Sequence, residues 1–118
     1  MRFSILASGS TGNAIYIETD NVRLLVDAGL SGKQMTSLLR QIGVQPEALD
    51  AVLLTHEHMD HVKGLGVMAR RFQLPIYANE ATWQALPKPV GDIDERQKRI
   101  LATGTSMAIA DLEVETFG

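Results

Sequence analysis

The run Ala51-Val52-Leu53-Leu54, followed at once by all three histidines of the chain, constrains the fold more than any other stretch. Four consecutive apolar residues of this kind mark a strand buried on both faces, so layers must cover both sides of its sheet. The segment Thr55-His56-Glu57-His58-Met59-Asp60-His61 then leaves the C-terminal end of that strand. Open α/β sheets place their sites there.

The rest of the pattern supplies the layers. Residues 2–7, 14–19 and 22–27 read as strands, with Asp20-Asn21 as a hairpin turn between the last two. Ser31 and Gln34 form a capping box, and Met35, Leu38, Leu39 and Ile42 then line one helix face before Gly43 and Pro46 end it. A second helix is expected from near His61, with Leu65, Met68, Ala69 and Phe72 on its apolar face. Residues 75–78 suggest a short strand, 80–86 a short helix and 88–97 a polar loop. Residues 99–102, 106–110 and 112–117 read as closing strands, with Asp111 near a turn. The class is α/β (α+β), a mixed β-sheet with flanking helices.

The histidines carry the chemistry. In an extended segment His56 and His58 project to the same side, where two imidazoles can hold one borderline metal ion such as zinc. Asp60 and His61 stand at a helix start, aimed elsewhere, and suit a second ion. A carboxylate there is favoured by the unpaired N–H groups of the first turn. One histidine alone would be an ordinary surface residue, and Asp60 alone an ordinary helix cap. The H-x-H-x-D-H spacing decides for metal. Imidazole must be neutral to ligate, so affinity should fall below about pH 6.5. The chain has no cysteine, which excludes thiolate sites and disulfides.

Thr55 to His61, behind an apolar strand and ahead of Gly64-Leu65, resembles the signature of the metallo-β-lactamase superfamily. The resemblance implies that His56 and His58 bind one divalent ion and Asp60 and His61 the other. Zinc is the expected metal, with manganese or iron as the other candidates. It also makes Asp60 the residue that orients the attacking water or takes its proton. Leu24-Leu25-Val26-Asp27-Ala28-Gly29 is similar to the family strand that ends in Asp-x-Gly, which implies that Asp27 supports the metal ligands from behind. Without the resemblance, Asp27 reads equally well as a turn residue before glycine.

Ser8-Gly9-Ser10-Thr11-Gly12-Asn13 before a strand resembles the YycJ/WalJ-type cytoplasmic branch, associated with 5′-to-3′ exonuclease activity on DNA. Read by itself the loop is a glycine-rich turn, or one that offers Ser8, Gly9, Ser10, Gly12 and Asn13 to a phosphate. Arg70, Arg71, Arg96, Lys98 and Arg99 are candidate phosphate contacts or simply a solvated face. The net charge of −3 neither requires nor excludes a DNA or RNA substrate.

The family fold is an αββα sandwich of two halves, and 118 residues supply one. No histidine follows His61, and Asp92, Asp94 and Asp111 sit in loops as solvated residues. Residues 1–118 are therefore expected to be the N-terminal half of such a domain, truncated and nearly inactive alone. An exposed half-sandwich face would favour self-association. With no export signal or membrane span, the cytoplasm is the expected compartment. The expected activity of the complete protein is metal-dependent hydrolysis of nucleic-acid phosphodiesters. Its rivals are a small-molecule hydrolase of thioesters, lactones or cyclic phosphodiesters, and a non-catalytic half-domain scaffold.

Overall fold

The computed structural model describes residues 1–116; Phe117, the end of the last expected strand, and Gly118 lie outside the described residues. The strands are β1 (Arg2–Ala7), β2 (Ala14–Glu18), β3 (Arg23–Val26), β4 (Ala51–Leu53), β5 (Ile76–Ala78), β6 (Lys98–Ile100), β7 (Ser106–Ile109) and β8 (Leu112–Glu115). The helices are α1 (Gly32–Gln41), α2 (Met59–Val62), α3 (Leu65–Phe72) and α4 (Glu80–Gln84). Six strands form one sheet in the order β1-β2-β3-β4-β5-β6. The β1–β2 and β2–β3 pairs are antiparallel, and β3, β4, β5 and β6 are mutually parallel.

Alternation along the central strands divides the core into two clusters. Leu25 and Val52 face one way and pack with Met35, Leu39, Leu65 and Met68 of the helices. Leu24, Ala51 and Leu53 face the other way. That second face meets the β7–β8 hairpin through Met107, Ile109, Leu112 and Val114. The apolar run of β4 is thus buried on both faces, as its composition requires.

Helix α1 begins at the expected place. The Ser31 hydroxyl accepts from the Gln34 N–H at 3.2 Å, and Gln34 returns the bond to the Ser31 N–H at 3.3 Å. Met35 and Leu39 are fully buried, each stabilising the layer by about 1.5–3 kcal/mol.

Three expectations are corrected. The helix expected from near His61 is two: α2 ends at Val62, and α3 starts after Gly64. The Gly64 N–H donates to the Ala28 carbonyl at 2.8 Å instead of continuing the first helix. The polar stretch 88–97 holds two short 3₁₀ turns, Lys88–Val90 and Glu95–Gln97. The apolar half-sandwich face is only partly open, because the hairpin lies across its centre. Phe3 and Ile5 remain 61% and 64% exposed on β1, so what adhesive surface there is lies at that edge. Among the described residues no helix is long and apolar enough to cross a membrane.

Tyr16 on β2 is fully buried, and its hydroxyl donates to Glu18 Oε1 at 2.6 Å. Burial, reinforced by the Glu18 carboxylate, pushes the phenol up to about 12. The neutral form is thus the one the fold prefers. Its stabilising contribution is complete below the ordinary phenol value near 10 and is lost as pH rises toward about 12. Urea unfolding across that interval should show a stability loss on the order of 2 kcal/mol that Tyr16→Phe flattens. An unchanged alkaline arm in the variant would contradict this assignment.

Candidate metal centre

Three loops leave the same edge of the sheet: residues 8–13 after β1, 27–31 after β3 and 54–58 after β4. Backbone bonds stitch them together. The Asn13 N–H donates to the Asp60 carbonyl at 2.7 Å, Gly29 to Asn13 at 2.9 Å, and Ala28 to His61 at 2.8 Å. These contacts need close approach. A Cβ added at Gly29 would lie 1.8 Å from the Asp60 carbonyl oxygen and 2.5 Å from the Asn13 nitrogen. Only glycine fits there.

Asp27 organises the centre. It is 5% exposed and held at a φ of 65°, a left-handed conformation uncommon for a residue with a Cβ. Its Oδ1 accepts from the Thr55 N–H at 2.8 Å and its Oδ2 from the Thr55 hydroxyl at 2.6 Å. The same Oδ2 lies 2.7 Å from His61 Nδ1. With the carboxylate as acceptor, Nδ1 carries the proton and Nε2 keeps its lone pair. The structure thus puts Asp27 behind the His61 ring, poised to orient it.

His61 Nε2 points to Asp60 Oδ2 at 3.5 Å. Asn13 Nδ2 donates to that same oxygen at 3.0 Å and also to the Asp60 carbonyl at 3.2 Å. Asp60 Oδ1 accepts nothing among the described residues and stays available. The His56 ring lies 4.8 Å from that of His61 and 6.0 Å from that of His58, centroid to centroid. Two imidazoles on one tetrahedral ion place their centroids about 5 Å apart. The His56–His61 spacing meets that value, whereas His56 and His58, the pair expected to share an ion, stand wider apart. His58 is the loosest of the three, its side chain 71% exposed. Among the described residues no three His, Asp or Glu side chains converge closely enough to cage an ion. The motif supplies pairs of donors and does not close a site.

The 8–13 loop behaves differently from the phosphate cradle its glycines suggest. The N–H groups of Gly9, Gly12 and Asn13 are taken internally, by Asn13 Oδ1, the Gly9 carbonyl and the Asp60 carbonyl. Ser8 and Ser10 are exposed at the same edge. What Asn13 visibly does is hold Asp60, a bond across 47 positions that no local pattern announces. Thr55 and Gly29 belong to the same framework. A cleft of about 570 Å³ adjoins His56 between the sheet and the hairpin, lined in part by Thr55, Asn79, Leu101 and Thr103.

The carboxylates outside the motif have other partners. The Asp94 carboxylate is drawn down to about 2 by its bonds to the Arg96 guanidinium and N–H. Asp111 is lowered chiefly by the Thr19 hydroxyl and, after it, by the Asn21 amide, tying the hairpin turn to the 19–22 turn. Neither reaches the histidines.

A family model described as the metallo-beta-lactamase superfamily matches residues 7–116, and the chain belongs to that superfamily. Within it the chain is 53% identical to "Exodeoxyribonuclease WalJ" of Streptococcus pneumoniae serotype 2 (strain D39 / NCTC 7466), over 99% of this chain and 44% of that protein. It is 51% identical to "Exodeoxyribonuclease YycJ" of Bacillus anthracis, over 100% of this chain and 45% of that protein. The chain thus spans less than half the length of these curated relatives. Among solved structures, "Rm3 metallo-beta-lactamase" superposes with a TM-score of 0.76 at 19% identity, over 94% of this chain and 46% of that one. That likeness concerns the fold.

Asn13→Ala should cost about 1–3 kcal/mol in urea unfolding, because it removes the side-chain donor to the Asp60 carboxylate, while the Asp60 carbonyl keeps the Asn13 N–H. Asn13→Asp should cost more, since it sets one carboxylate against another. Equal values for the two variants would reduce Asn13 to a packing residue.

Proposed function

We propose that residues 1–118 form the N-terminal half of a cytoplasmic two-metal hydrolase that removes nucleotides from DNA in the 5′-to-3′ direction. The observation that carries this reading is identity of 51–53% over nearly the whole chain to proteins named exodeoxyribonucleases, with the ligand motif intact. The second half of the sandwich seats beside the hairpin, against the exposed Phe3 and Ile5 of β1. A second copy of this chain is the other candidate for that edge.

His56 and His58 hold one ion, and Asp60 and His61 the other, with zinc the metal that best suits imidazole and carboxylate donors. Ions bound there would lower the pKa of water and would stabilise negative charge developing at phosphorus. The chain's own residues set the geometry for this. Asp27 and Thr55 keep the His61 ring turned so that Nε2 faces outward. Asn13 occupies one oxygen of Asp60 and leaves the other to orient the attacking water and accept its proton. Ser8 and Ser10, exposed at the same edge, would meet a substrate phosphate through their hydroxyls.

One observation favours a second reading for this length of chain. Three donors do not converge among the described residues, so by itself the chain would act as a half-domain scaffold that another polypeptide segment completes.

Elemental mass spectrometry on protein purified without added metal tests the proposal. It requires this chain, the protein extended to the length of its relatives, and His58→Ala in each. The longer protein should carry about two ions that His58→Ala depletes, and should shorten 5′-phosphorylated DNA. This chain should hold well under one. A longer protein that is metal-free, or that hydrolyses thioesters or cyclic phosphodiesters but not DNA, would overturn the reading.

A further inference from the structure

Folding separates the five cations that the sequence offers as phosphate contacts. Arg70 Nη1 donates to the carbonyls of Val90 and Asp92, both at 3.0 Å. Arg96 pairs with Asp94, Lys98 with Glu95, and Arg99 donates to the carbonyls of Arg96 and Lys98. Among the described residues Arg71 alone of the five has neither an acidic nor a carbonyl partner. It lines a shallow cleft of about 780 Å³ between α1 and α3, and two further cations line it too, Lys33 and Arg40. No acidic residue lines this cleft, and none of its three cations forms an ion pair among the described residues.

The α1 side of the cleft is one helix stripe: Lys33, Thr36, Ser37, Arg40 and Gln41, at i, i+3, i+4, i+7 and i+8. Two features of that stripe are unfavourable for the fold alone. Lys33 is a cation in the first turn, where the helix end is itself positive. Thr36 is 6% exposed, and its hydroxyl is the buried side-chain polar atom that finds no partner among the described residues. Arg40 and Arg71 stand in the last turns of their helices, where cations are favoured. That placement explains neither Lys33 nor the idle hydroxyl. Locally unfavourable choices that converge on one cleft are the mark of a site for something else.

We infer that the α1–α3 cleft binds the phosphate backbone of single-stranded nucleic acid, with Lys33, Arg40 and Arg71 as its cations and the Thr36 hydroxyl as a buried donor. The inference rests on the nucleic-acid reading proposed above and adds to it a surface outside the metal centre. Lys33 and Arg40 are seven positions apart on the helix, or about 10 Å, enough for two or three successive phosphates. The near end lies at the base of the metal loop: a Cβ built on Gly64, three residues after His61, would sit 3.2 Å from the Gly32 nitrogen. A strand extending from the metal centre can therefore continue along the helices. The cleft sets register and grip, and leaves hydrolysis to the other edge.

Fluorescence anisotropy of a labelled oligothymidylate of about 16 nucleotides, in chelator, reads this surface without turnover. The combined variant Lys33→Gln/Arg40→Gln/Arg71→Gln should weaken binding on the order of tenfold or more. It should also flatten the dependence of log affinity on log salt by about 2, the share of three phosphate contacts on a single strand. Thr36→Val, which changes no charge, should weaken binding about tenfold while raising the melting temperature. Lys88→Gln, an exposed cation elsewhere, should change neither. The cleft is refuted if the combined variant binds with wild-type affinity and salt slope, or if this chain does not hold the oligonucleotide at all. Hydrolysis of bis-p-nitrophenyl phosphate by the longer protein reads the metal centre separately, because that substrate is too small to span the cleft. Turnover with no oligonucleotide binding removes the cleft and spares the hydrolase reading; the reverse result removes the hydrolase reading and spares the cleft.

Discussion

The buried carboxylate of Asp27 is the constraint on which the centre depends. It directly follows β3, takes a left-handed conformation, and in that position accepts two bonds from Thr55 and one from His61. Its N–H meanwhile donates to Leu53 at 2.7 Å, which keeps β3 and β4 in register up to the last residue before the loop. One side chain thus joins the parallel strand pair to the histidine segment. The strain of its backbone is offset only because all three acceptor interactions require that geometry. An apolar or longer residue there would free Thr55 and His61 together.

Backbone approach supplies the second part of the framework. Gly29 and Gly64 lie where the loops press together, and a Cβ at either would meet a carbonyl oxygen at 1.8 or 2.2 Å. Gly64 also explains why one expected helix is two. Its N–H is committed to Ala28, so α2 stops and α3 begins anew with Gly64 as its cap. That break fixes the short helix carrying Asp60 and His61 against the strand ends, independent of where α3 packs. The ligand pair rides on a four-residue helix clamped at both ends, not on the end of a long one.

Much of this was legible in the sequence where the signal is local. The Ser31–Gln34 capping box and the buried run of β4 each encode their geometry within a few residues, and each stands where it was expected. Asn13 was legible as part of a loop but not as the partner of Asp60, because that bond depends on how two distant loops meet. Arg70 reads as a surface cation in any helix wheel; only the folded chain brings the carbonyls of Val90 and Asp92 to it. The hairpin illustrates the same limit. Its half-buried alternation predicts strands, yet not that Met107, Ile109, Leu112 and Val114 would close over the second face of the sheet.

Which surfaces the fold leaves unsatisfied follows from that packing. On the helix side the core is closed, and the unspent features are charges and one hydroxyl. On the hairpin side the centre of the sheet is covered, but β1, an edge strand with Phe3 and Ile5 exposed, has no layer above it among the described residues. An exposed apolar edge strand is a liability for a chain on its own. It ceases to be one if further polypeptide lies across it, and relatives more than twice as long have the material to do so. The same added layer would lie beside the edge from which His56, His58 and Asp60 project. On the reading proposed above, one further layer would cover the open apolar strand and complete the metal motif together.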